Sequence, residues 1–98
     1  MALSLPFKIF VVEDNEWYGE LLSHCLGQNP DHSIRRFATA HACLDQLAEQ
    51  PDLITFDYSL PDGKGKQVLR QIRERLPATE VIVISGQEDV NTAVSVLR

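Results

Sequence analysis

Ninety-eight residues with fourteen acidic and nine basic side chains, a formal charge of −5, bound a single domain with one core. The acidic balance argues against nucleic acid or an anionic membrane as a direct partner of these residues. No basic segment leads into a long apolar run, so neither a signal peptide nor a membrane span is read and the chain is expected to be cytoplasmic.

Ile9-Phe10-Val11-Val12 is a continuous apolar run, the pattern of a strand buried on both faces, and it ends in the acid pair Glu13-Asp14. Asn15 is a good N-cap for a first helix in which Trp17/Tyr18, Leu21/Leu22 and Cys25/Leu26 recur every four residues until Gly27 and Pro30. At least one of Trp17 and Tyr18 is expected in its core stripe. Ser33 to Ala38, with Arg35 and Arg36 between Ile34 and Phe37, suits an edge strand, where charge discourages unwanted pairing. Thr39 caps a second helix with Cys43, Leu44, Leu47 and Ala48 on one side, closed by Pro51. Cys25 and Cys43 lie on apolar faces without a CxxC spacing, which predicts reduced, buried thiols.

Leu53 to Phe56 is a second apolar run, and it delivers Asp57 into a loop containing Pro61, Gly63 and Gly65. Val68, Leu69, Ile72 and Leu76 stripe a third helix whose Arg70, Arg73, Glu74 and Arg75 face solvent. Lys64 and Lys66 read as solvated charges, and His24, His32 and His41 have no ligand spacing. Val81 to Ile84 is a third apolar strand, ending in Ser85, and Asp89 caps a helix with Val90, Ala93, Val94 and Leu97 at helical period. This βαβαβαβα rhythm predicts an α/β fold with a doubly wound parallel sheet and right-handed crossovers.

Parallel strands put their C-terminal ends on one edge, so Glu13, Asp14, Asp57 and Ser85 are expected to converge where α/β sheets place their chemistry. Clustered carboxylates repel unless protonated or bridged by a cation, and an all-oxygen set suits Mg²⁺. A carboxylate beside Mg²⁺ can attack a phosphoryl group, which makes Asp57 a candidate nucleophile and Ser85 a candidate hydroxyl donor.

The strings Val11-Val12-Glu13-Asp14-Asn15, Phe56-Asp57-Tyr58-Ser59-Leu60-Pro61-Asp62-Gly63-Lys64-Gly65 and Val83-Ile84-Ser85-Gly86 resemble the receiver domain of two-component response regulators. The resemblance spans nearly the whole chain and implies a flavodoxin-like signalling domain, not an enzyme. It implies Asp57 as phosphoacceptor, Mg²⁺ held by Glu13, Asp14, Asp57 and the Ser59 carbonyl, and Ser85 as the switch hydroxyl. The implied partners are a sensor histidine kinase or phosphotransfer protein, and an output domain outside this chain. The family's fifth strand, with its lysine, and its fifth helix are not found, so residues 1–98 are read as a receiver incomplete at the C-terminus. Dimerisation or aggregation, either by pairing at the exposed edge Val81–Ile84 or by exchange of the C-terminal helix with a second chain, is the corresponding expectation. Two other readings are an aspartate-nucleophile phosphohydrolase of the dehalogenase type, which usually has a second Asp where this chain has Ser59, and a receiver-like interaction module that is not phosphorylated.

Overall fold

The computed structural model describes residues 6–57 and 65–84. Three apolar runs become parallel strands, β1 (Phe7–Val12), β3 (Leu53–Asp57) and β4 (Glu80–Ile84), and the arginine-bearing segment becomes β2 (His32–Phe37). Sheet order is β2-β1-β3-β4, so β2 takes the edge its charges suit and the two most apolar strands lie inside. Helices α1 (Glu16–Leu26), α2 (Ala40–Asp45) and α3 (Gly65–Arg75) alternate with the strands, and a 3₁₀ turn, Leu47–Glu49, follows α2.

Period-two alternation divides the sheet's side chains. Phe10, Val12, Ile54, Phe56, Val81 and Val83 join Cys43 and Leu47 from the α2 segment and Val68 and Ile72 from α3 in the core cluster. Phe10 and Phe37 meet edge to face, with ring centroids 4.8 Å apart. The opposite face carries Ile9, Val11, Thr55 and Asp57, with α1 packed over β1 and β2. On that face, toward β4, Ile82 is 44 % exposed.

Helix ends follow the sequence. Asn15 accepts the Tyr18 N–H at 2.9 Å and Thr39 accepts the Ala42 N–H at 3.1 Å, each satisfying an otherwise orphaned amide of a first turn. At Gly27 the N–H bonds to Ser23 O and closes α1.

Two expectations are corrected, the burial of Cys25 and the extent of the second helix, while that for Trp17 and Tyr18 is met by Tyr18. In α1 the second member of each apolar pair, Tyr18, Leu22 and Leu26, is half-buried, whereas Trp17 (70 % exposed), Leu21 and Cys25 face outward. Cys25 is therefore an exposed thiol, and only Cys43 is buried. The reason is the approach of α1 to the sheet through Gly19, its one buried residue, which sets the face a step away from Trp17. The second helix is also shorter than its stripe: it gives way at Gln46 to the 3₁₀ turn, whose tighter winding keeps Leu47 inside but turns Ala48 out. Gln50 then adopts left-handed backbone at φ 56°, turning the chain toward β3. The loop residues 58–64, with Ser59, and the segment after Ile84, with Ser85 and the helix expected from Asp89, lie outside the described residues.

Candidate metal centre

Val12 of β1 pairs with Phe56 of β3, so the next residues, Glu13 and Asp57, leave the sheet side by side. The Glu13 N–H donates to Phe37 O at 2.9 Å, which holds the end of β1 to the end of β2. Asp14 and Asn15 form the turn into α1, and the Asn15 N–H donates back to Glu13 Oε2 at 3.1 Å. The Glu13 carboxylate is thereby folded over the turn toward Asp57.

One carboxylate oxygen from each of Glu13, Asp14 and Asp57 lies within 4.8 Å of the others. Glu13 and Asp57 are each only 8 % exposed, while Asp14 opens to solvent. Burial is the largest influence on Glu13 and pushes its pKa from 4.5 up to about 7; the Asn15 N–H opposes this, and the neighbouring Asp57 and Asp14 reinforce it. The sequence placed these three residues together, and the structure brings them together. Ser59 and Ser85 lie outside the described residues; Ile84, which precedes Ser85, pairs with Asp57.

The donor set fits a hard divalent cation. All three ligand atoms are carboxylate oxygens, the preference of Mg²⁺, which takes few protein ligands and keeps several waters. The Glu13 pKa, raised first by burial and then by Asp57 and Asp14, marks a carboxylate whose charged form a cation would stabilise. Two contacts at the turn into α1 could not be read from sequence patterns: that of the Phe37 carbonyl, because a backbone acceptor carries no residue signature, and that of Arg36, whose guanidinium donates to Glu16 O across an element boundary.

Comparison with known proteins agrees with this geometry. Residues 9–98 match the family described as the response regulator receiver domain. The chain is similar to protein-glutamate methylesterase/protein-glutamine glutaminase 2 of Paramagnetospirillum magneticum, at 34 % identity over 93 % of this chain and 27 % of that protein. It is also similar to the transcriptional regulatory protein CitT of Halalkalibacterium halodurans, at 28 % identity over 94 % of this chain and 42 % of that protein. The chain thus spans less than half the length of either relative. Among solved structures, the response regulator DrrB of Thermotoga maritima superposes with a TM-score of 0.79 at 28 % identity, covering 92 % of this chain and 40 % of that one.

Proposed function

This chain belongs to the response regulator receiver family, a family of signalling domains, and from that premise we propose that Asp57 is its phosphoacceptor and that residues 1–98 are its receiver segment. The observation that carries the reading is the convergence of Glu13, Asp14 and Asp57 within 4.8 Å at adjoining strand ends. Membership in this family sets the phosphohydrolase reading aside.

Glu13, Asp14 and Asp57 would hold Mg²⁺, with the Ser59 carbonyl completing the protein ligands. When bound, the ion neutralises charge on the transferring phosphoryl oxygens. A carboxylate oxygen of Asp57 forms the new bond to phosphorus as the donor's P–N bond breaks; the electron pair leaves with the imidazole nitrogen of a phosphohistidine, which takes up a proton. Asp57 is suited to this because β3 holds its backbone between β1 and β4, fixing the direction of attack. The Ser85 hydroxyl follows the phosphoryl group and couples it to a change in conformation. A sensor kinase or phosphotransfer protein supplies the group and a separate output domain receives the signal. We place this exchange in the cytoplasm; no helix among the described residues is long and apolar enough to cross a membrane.

The test is intact-mass analysis after incubation with a small phosphodonor and Mg²⁺. Wild type should gain one phosphoryl group, labile to alkali, and Asp57→Ala should gain none. An alkali-stable adduct, or one that persists in Asp57→Ala, would assign the modification to another residue.

A further inference from the structure

Arg36 and Phe37, neighbours at the end of β2, hold the turn between β1 and α1 from two sides. Phe37 O accepts the Glu13 N–H at 2.9 Å, and the Arg36 guanidinium donates to Glu16 O at 3.1 Å. Asp14 and Asn15 lie between these anchors. The path of Arg36 depends on Gly19: a Cβ there would meet Arg36 Nη2 at 2.8 Å and Nε at 3.3 Å. The guanidinium thus crosses α1 at the buried residue that has no side chain, and its fork reaches back one turn to the helix's first carbonyl. Arg35, the adjacent arginine, instead serves the other face, paired with Glu49.

We propose that Arg36 is a positioning residue for the acid centre, acting through the Glu16 carbonyl, with Gly19 as the slot that admits it. The inference rests on the reading that Asp14 helps to hold Mg²⁺. Groups that orient metal ligands typically change metal affinity by about 10–100-fold when lost, and Arg36 acts two residues beyond Asp14, so a loss of roughly 3–10-fold is expected. Its positive charge alone would oppose Mg²⁺ binding, so positioning and electrostatics predict opposite signs.

The experiment compares wild type, Arg36→Met, Arg36→Lys and Gly19→Ala in the full chain, by Mg²⁺ titration followed through Trp17 emission and by amide hydrogen exchange of metal-free protein. Arg36→Met and Gly19→Ala should both bind Mg²⁺ more weakly, with partial recovery in Arg36→Lys. Exchange at the amides of Asn15 to Tyr18 should be faster without metal. Gly19→Ala is the decisive variant because alanine favours the helix and the atom it displaces is the flexible end of a side chain; its melting temperature should hold or rise while affinity falls. Unchanged affinity, tighter binding by Arg36→Met, or loss of affinity only in parallel with loss of melting temperature would overturn the proposal. If wild type itself fails to bind Mg²⁺, the metal reading fails, and unaltered amide exchange in the variants would separately refute the clamp.

Discussion

Replacing Glu13 by glutamine removes one charge from the acid centre while keeping an oxygen to accept the Asn15 N–H. In the metal-free fold the carboxyl keeps its proton to about pH 7, against 4.5 for the ordinary group. The folded state therefore binds more protons than the unfolded one between those values, and stability declines as pH rises through that window. At ~1.36 kcal/mol per pKa unit the decline is capped at about 3 kcal/mol, and solvent reaching the cluster past Asp14 reduces it to roughly 1–2 kcal/mol. Glu13→Gln should escape that loss. At pH 8 in chelator it should be more stable than wild type by about this amount, raising the melting temperature by roughly 4–15 °C for a domain of this size. At pH 4.5 the two should melt together. Thermal melts by circular dichroism from pH 4.5 to 8 measure the difference, and saturating Mg²⁺ should reverse it by stabilising wild type selectively. A variant less stable than wild type at pH 8, or a difference independent of pH, would refute the view that burial and the neighbouring carboxylates raise the Glu13 pKa.

Three further outcomes follow from particular side chains. Cys43 is buried with its thiol pushed up to about 12, and Cys25 is exposed, so a thiol reagent near neutral pH should modify one cysteine quickly and the second only on unfolding; two fast reactions would contradict the packing of α2. The Thr55 hydroxyl is buried and has no hydrogen-bond partner among the described residues, and Thr55→Val should raise stability by roughly 1 kcal/mol in a denaturant titration; a loss of that size would show that the hydroxyl is satisfied. Strand β4 pairs with β3 and, among the described residues, with nothing on its other side, and its outward Ile82 is 44 % exposed. The 98-residue chain should sediment as a dimer at tens of micromolar and Ile82→Lys as a monomer, whereas a wild-type monomer throughout that range would sink the edge-pairing account.

The strands were legible because both of their signals are local: continuous apolar runs rich in β-branched residues for β1, β3 and β4, and a charged, alternating run for β2. The acid centre was legible for a topological reason, since parallel strands with short turns must bring Glu13 and Asp57 to one edge. The face of α1 was harder to read. Paired apolar residues at every turn offer two adjacent stripes, and the choice between them depends on Gly19 and Arg36 meeting across the helix, a contact with no local trace. Ala48 failed similarly, because α-helical and 3₁₀ winding diverge only after the handover at Gln46.

The arginine pair on β2 also governs what kind of assembly this sheet can enter. Arg35 lies over the Phe37 ring on one face and Arg36 runs along α1 on the other, so an incoming strand at that edge would meet a cation from either side. With β2 guarded, β4, which pairs on its far side with no strand among the described residues, is the edge on which two copies would meet. Such a contact would relate two copies by a twofold axis and use both β4 edges at once. A pairing of that kind would be self-limiting, because a fibre needs two unlike receptive edges on every subunit.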